Sequence, residues 1–323
     1  LTAAQGNALN TKFKDLVMRN WIAIGNMQFG GSPIRGMAAN QTTKVLVAVG
    51  AGGLGSRSVN GGVTWTAVAN MQFGTDTINA VDVNESAGVW VAVGNNGKGS
   101  RSTDSGVTWT AVGNMQFGTD VINDVKVNKS TGVWVAVGAN GKGSRSTDGG
   151  VTWTALTMNF GGTHIYAVAS DNDVTWVAVG SGGNGVRSIS DGQFWSAIGN
   201  MQMGSNSITS LVYANNPSQP WFIAAGANNA AAYSTTIGNT WTAISDIKFG
   251  AGTVQELAYC VSLGLIVAVG SSAKASYSSD VVNWTSILSV NLSVALDIYA
   301  LTILEFSSRF AIANNGGNGV YSL

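Results

Sequence analysis

A unit of about 44 residues recurs along most of this chain, and that repeat restricts the fold more than any other feature. Residues 65–108 and 109–152 align without gaps and differ at only eight of 44 positions. A tryptophan marks each copy, at Trp21, Trp65, Trp109, Trp153, Trp195, Trp241 and Trp284, in steps of 44, 44, 44, 42, 46 and 43 residues. Each unit reads as four short strands. In residues 78–113 these are Ile78 to Val83, Val89 to Gly94, Gly99 to Ser102 and Thr108 to Val112. The connectors NESAG, NNGK and TDSGV carry turn chemistry. Four strands in 40–50 residues is the propeller pattern, and no unit holds the amphipathic helix that a strand-plus-helix solenoid needs.

The second-strand motif occurs seven times, ending at Gly50, Gly94, Gly138, Gly180, Gly226, Gly270 and Asn314. The third-strand motif also occurs seven times, ending at Ser58, Ser102, Ser146, Ser188, Ser234, Ser278 and Ser322. The last copy stops before a fourth strand, whereas residues 19–25 are a fourth strand with no preceding three. The sequence therefore predicts an all-β, seven-bladed β-propeller of four-stranded blades over residues 19–323. Its N-terminal strand completes the last blade and removes the open edge that would invite aggregation.

Composition excludes several roles. Only 10% of residues are charged, and 16 Lys+Arg balance 16 Asp+Glu. A chain without net charge lacks the basic footprint of a nucleic-acid binder or a polybasic membrane contact. No apolar run reaches the roughly 18 residues of a membrane span, so no membrane insertion is expected. The single Cys260 allows neither an internal disulfide nor a cysteine-cluster metal site.

The turn before each tryptophan has a recognisable form. STDSGVTW carries Ser102, Asp104, Gly106 and Trp109, and STDGGVTW carries Ser146, Asp148, Gly150 and Trp153. The aspartate can accept backbone N–H bonds, the glycine takes a positive φ, and the tryptophan packs between sheets. Other copies put Asn60, Ser190 or Thr236 at the aspartate position, and a sixth keeps Asp280 but is one residue short. The chain resembles the Asp-box repeat propellers, a group that includes sialidases, sortilin-type receptors, a photosystem assembly factor and lectins. The resemblance implies a fold; the box is a structural turn and does not name an activity.

Catalytic candidates are few. Sialidases of that group use an arginine triad, a Tyr–Glu pair and an acidic proton donor. Here Arg57, Arg101, Arg145 and Arg187 fall one per blade and cannot converge as a triad, so a structural role between blades is expected. Glu85 becomes Lys129 in the next repeat and reads as a solvated surface position, as does the Asp82/Lys126 exchange. Glu256 and Glu305 lie near inner strands and could face the channel. His164 has no nucleophile or carboxylate arrangement and reads as a loop residue. Cys260 reads as core. Asp171 to Asp173 lack the spacing of a calcium loop and read as a turn. The NNGKGS and ANGKGS loops precede no helix and are not phosphate loops. No enzyme, cofactor or metal is expected, and a divergent sialidase-like glycosidase is the least favoured reading.

A binding role is placed on one face. The Asp boxes and first-to-second connectors share one face, and the NMQFGTD and GNNGKG loops share the other. Asp76, Asp120, Asn96, Asn140, Lys98 and Lys142 lie on this second face as ligand-binding candidates. Their amides suit sugar hydroxyls, while ordinary turn chemistry accounts for them equally well. The repeated Phe29, Phe73, Phe117, Phe160 and Phe249, with Met203 in the fifth copy, read as caps between blades. Trp90, Trp134 and Trp176 read as inter-blade core.

Residues 1–18 differ from the rest. Leu9, Phe13, Leu16 and Val17 make a short amphipathic helix, which needs a partner to be stable. The wording LTAAQ-x-NAL-N resembles linker segments of phage tail-fibre and other virion appendage proteins. That resemblance implies that residues 1–18 are a tether preceding a receptor-binding head and contacting other virion proteins, and a homotrimer through that segment is a further expectation. The first residue is not Met, so a piece of a longer fibre protein is expected. The resulting expectation is a non-enzymatic phage tail or surface-appendage protein that binds a host-surface glycan or receptor. The alternative is a structural virion decoration or assembly scaffold without ligand. Outside a virion, the chain is expected to be secreted or soluble.

Overall fold

The computed structural model describes residues 21–287 and 296–322. These residues form seven four-stranded antiparallel sheets. Blade one runs through Ile34–Asn40, Val45–Gly50, Gly55–Ser58 and Thr66–Ala67. The inner strands of blades two to seven are Ile78–Asn84, Ile122–Val127, Ile165–Ser170, Ile208–Ala214, Val254–Cys260 and Ile298–Leu304. Blade seven borrows its outermost strand from the start of the chain. Trp21–Ala23 pairs with Gly319–Ser322 in the register Trp21 to Ser322 and Ala23 to Val320. Successive inner strands pack side by side, and that of blade seven packs against that of blade one, so the ring closes. The expected seven-bladed fold is observed. The helix read over residues 1–18 lies outside the described residues.

In blades one to six the second strands are apolar without interruption because each blade is covered on both sides, and blade seven keeps the apolar run FAIA between Arg309 and Asn314. All six residues of Val89–Gly94 are buried. The core is accordingly divided into seven clusters, one at each blade boundary. Between blades one and two, Val45, Val47 and Val49 pack against Trp90, Ala92 and Trp109. Trp90, Trp134 and Trp176 are at most 1% exposed, as inter-blade residues should be.

The NMQFG loop links two blades through its two apolar side chains. Met115 lies over Gly99 of blade two, where an added Cβ would come 2.7 Å from the sulfur. Phe73, from the preceding copy, lies over Gly94 at the end of the second strand of blade two. A Cβ on Gly94 would sit 2.2 Å from the Thr77 carbonyl oxygen and 3.1 Å from the Phe73 ring. Close approach of the backbone, rather than an unusual φ, therefore demands that glycine.

The turn before each tryptophan is a hydrogen-bonded unit. The Ser102 hydroxyl donates to Asp104 at 2.8 Å and accepts the Gly106 N–H at 3.0 Å. Asp104 accepts the N–H groups of Val107 and Thr108 and the Thr108 hydroxyl. The Trp109 indole donates to the Gly106 carbonyl at 3.2 Å. Ser146, Asp148, Gly150 and Trp153 repeat this arrangement. Asn60 accepts the Thr64 N–H in the same place, and Ser190 and Thr236 use hydroxyls there. The arginines tie the turns of blades two to five to the preceding blade. Nε of Arg57, Arg101, Arg145 and Arg187 donates to the carbonyls of Ser105, Gly149, Asp191 and Ile237 at 2.5–2.8 Å. The structural role expected of these arginines is therefore seen.

Two outcomes test this packing. Gly94→Ala should cost about 1–3 kcal/mol through overpacking, whereas Gly113→Ala, with no atom within 4 Å of the new Cβ, should be near neutral. Chemical denaturation of both variants measures this, and equal losses would contradict it. Burial raises the Asp104 carboxyl, but hydrogen bonds from Thr108, Ser102 and Val107 outweigh it and hold it at about 2. Its contribution is complete above the usual value of 3.8 and disappears as pH falls through about 2. Asp104→Asn combined with Asp148→Asn should flatten the fall in stability across that interval, measured by thermal unfolding at stepped pH.

Candidate functional site

The start of every inner strand carries a β-bulge. Register shifts between the first and third residues in all seven, as between Ile34 and Gly36 or Ile78 and Ala80. The second residue is thus extra to the ladder. These second residues are Arg35, Asn79, Asn123, Tyr166, Thr209, Gln255 and Tyr299, and all line one cavity of about 330 Å³ on the ring axis. They form a polar mouth on the face that also carries the NMQFG loops. A second cavity of about 260 Å³ continues toward the other face, past Tyr213, Tyr259 and Ile303. Met37, Val81, Leu211 and Leu301, with Lys126 and Glu256, line both cavities and so form the waist of the channel.

Several mouth residues hold blades together. Asn79 donates to the Ile122 carbonyl at 2.9 Å, and Asn123 to the Ile165 carbonyl at 2.7 Å. Thr209 donates likewise to the Val254 carbonyl. Each of these bonds reaches the first residue of the next inner strand. Blades one, four, six and seven differ, and in blade four the Tyr166 hydroxyl accepts from Ser181 of its own blade at 3.2 Å. Arg35 lies over the Tyr299 ring at 4.4 Å, its Nε is buried without a partner, and the Gln255 amide makes no hydrogen bond among the described residues.

The waist is charged. Lys126 Nζ lies 3.6 Å from Asp124. The Asp124 carboxylate accepts the N–H groups of Val125 and, from the next blade, Val168. Asp82 accepts those of Val83 and Val127. Burial raises Asp124 above the usual carboxylate range. It pushes Glu256 up to about 8, with Lys126 offsetting only part of the effect. Burial would lower Lys126, but attraction to Asp124, Asp82 and Glu256 prevails and holds it above its usual value.

This geometry corrects two sequence expectations about charge. Asp82 and Lys126 are not solvated surface positions; they line the channel. Glu85 is not free in solvent either. It accepts the Gln41 N–H at 2.9 Å and pairs with Lys129 at 2.6 Å, joining the first-to-second connectors of three blades. Glu256 faces the channel as anticipated. Glu305 instead accepts the N–H groups of Val261 and Ser262 at the outer connectors. The exchange of Ala80 and Asp82 for Asp124 and Lys126 between near-identical repeats was the available signal for the channel.

The remaining candidates have local roles. Cys260 is buried, and burial pushes its thiol up to about 11. Asp171 accepts the N–H groups of Asp173 and Thr175 in a turn. His164 stacks on Tyr166 at 6.0 Å. Phe29, Phe73, Phe117, Phe160, Met203 and Phe249 are all buried.

The six binding candidates come together as two clips at the rim of the polar mouth. Asp76 pairs with Lys98 at 2.7 Å and accepts from Asn96 at 2.9 Å, and Lys98 also donates to the Phe73 carbonyl. Asp120, Lys142 and Asn140 form the same clip, tied to the Phe117 carbonyl. The bond from Lys98 is the leading cause of a lowered Asp76 carboxyl, and that from Lys142 of a lowered Asp120. Lys98 and Lys142 remain 42% exposed at the side chain, enough to meet a partner. A further recess of about 610 Å³ lies on the periphery between blades three and four, beside Arg145, Thr154 and Phe194.

Glu256 gives a pH test. Its raised value means that the folded chain binds more protons than the unfolded chain between roughly 4.5 and 8, so stability declines across that range as pH rises. Glu256→Gln should remove that decline and melt at higher temperature than the parent near pH 9. Thermal unfolding against pH measures it; parallel profiles for the two proteins would contradict it.

No protein-family model and no curated protein matches the chain. Among solved structures, it is similar to "YCF48 bound to D1 peptide", with a TM-score of 0.72 and 16% identity over 94% of each chain. It is also similar to "YCF48 from Cyanidioschyzon merolae", with a TM-score of 0.70 and 17% identity over 94% of this chain and 98% of that one. The seven-bladed architecture is shared at that level. These neighbours correct the functional expectation: they are not phage virion proteins, and the bound partner of the first is a peptide rather than a glycan or another virion protein. What this likeness establishes for the present chain is that it has the seven-bladed propeller fold.

Proposed function

We propose that this chain is a non-enzymatic propeller that binds an extended polypeptide segment at the polar mouth of its channel. The bulged second residues carry the proposal. They present amide, hydroxyl, guanidinium and aromatic groups around a cavity of about 330 Å³. An extended peptide offers alternating backbone donors and acceptors with side chains on both sides, and such a ring supplies complements to both. Apolar Met37, Val81, Leu211 and Leu301 below the mouth suit a side chain inserted from above. The Asp76 and Asp120 clips, with Asn96, Asn140, Lys98 and Lys142, would meet the flanking residues of that segment at the rim. A peptide in complex with a propeller of the same architecture supports this reading. The non-enzymatic part rests on the waist chemistry, where Asp82 and Asp124 are occupied by inner-strand N–H groups.

Selection from a random peptide display library, followed by fluorescence anisotropy with the enriched peptides, tests the reading. Gln255→Trp places bulk in the mouth at a side chain with no internal bonds and should weaken binding at least about tenfold, or 1.4 kcal/mol. Phe194→Ala, in the peripheral recess, should leave it unchanged. Failure to enrich any peptide, or loss in Phe194→Ala alone, would overturn the assignment.

A further inference from the structure

We propose that Arg35, flanked by Tyr299 and Gln255, forms a carboxylate-binding site in the polar mouth. This inference rests on the peptide reading and narrows it: the bound segment carries an acidic side chain at this point.

The quasi-sevenfold repeat supplies the internal comparison. In blades two, three and five the second residue of the inner strand donates to the first carbonyl of the next inner strand. Arg35 occupies that position in blade one but makes no such bond. It turns the other way, and its guanidinium lies 4.4 Å over the Tyr299 ring of blade seven. Nε stays buried without an acceptor. Among the described residues Arg35 forms no salt bridge. The acid two residues before Tyr299 is committed elsewhere, since Asp297 accepts the Ser272 N–H at 2.8 Å and the Tyr299 hydroxyl at 3.4 Å. Gln255, in the adjoining blade six, also leaves the inter-blade role and keeps its amide unbonded. Blades one and six thus present unused hydrogen-bonding groups on either side of Tyr299 around one cavity.

A buried guanidinium nitrogen without an acceptor is costly. The guanidinium nonetheless lines the cavity without an anionic partner among the described residues, and its planar donor fork fits the two oxygens of a carboxylate. Stacking on Tyr299 holds the fork in place before the ligand arrives and reduces the ordering cost of binding. Gln255 can donate its amide N–H to the same carboxylate.

Isothermal titration of the full chain with N-acetylglutamate tests the site directly, with N-acetylglutamine and inorganic phosphate as comparison probes. The wild type should bind N-acetylglutamate in the millimolar range and the amide analogue at least tenfold more weakly. Arg35→Gln should lose the difference between the two, and Arg35→Lys should retain part of it by keeping charge without the planar stack. Thermal unfolding of both variants establishes that they are folded. Equal N-acetylglutamate binding by wild type and Arg35→Gln, no binding by the wild type, or tighter binding of phosphate would overturn the carboxylate assignment. Arg35-dependent binding of N-acetylglutamate while the display library yields no peptide would support the site and overturn the polypeptide reading instead.

Discussion

Each blade of this ring has two apolar faces, and only its neighbours can cover them. Everything else in the structure follows from that mutual burial. The second strands are apolar throughout in blades one to six, and at their centre in blade seven, because they sit between two boundaries. The tryptophans before the fourth strands wedge into those boundaries, and the arginines of four third strands tie the wedges of blades two to five to the preceding blade. The outer strand of blade seven, Trp21–Ala23, comes from the other end of the sequence and pairs with Gly319–Ser322. Without that strand its outer edge would be open and the last boundary incomplete.

Closure of the ring also creates the channel. Seven inner strands cannot meet at a point, and a bulge at the start of each turns one extra side chain toward the axis. Three of these side chains, Asn79, Asn123 and Thr209, are used to bind the next blade. The exceptions are the informative ones. Where Arg35 and Gln255 depart from that pattern beside Tyr299, the ring has polar groups beyond those its own assembly uses. The charged waist shows the complementary case, with Asp82 and Asp124 turned to the axis yet also holding inner-strand N–H groups of the following blade.

The repeat made the fold legible because strand spacing and turn residues recur with each copy. Val89–Gly94 and Gly99–Ser102 fall where the pattern of VWVAVG and GSRS places them. The outermost strand is shorter than read, Thr110–Ala111, because the turn before it is held by Asp104 up to Thr108. The channel was harder to see. Bonds such as Asp82 to Val127 join residues one repeat apart, and a single copy viewed alone shows only an unpaired polar residue. Glu85 and Lys126 look solvated for the same reason. The internal pairing of the rim clips depends on the left-handed turns at Asn96 and Asn140, which bring the second-to-third loop back over the preceding connector and leave no mark in a single copy of the sequence.

The central claim is that a polypeptide occupies the mouth of the channel, against inner strands from blades one, six and seven. Hydrogen–deuterium exchange of the full chain with and without a selected acidic peptide tests it most directly. The account predicts added protection in Ile34–Asn40, Val254–Cys260 and Ile298–Leu304 and in the loops carrying Asp76 and Asp120. Protection confined to the periphery, at Thr154–Leu156 and the turn that carries Phe194, would contradict it.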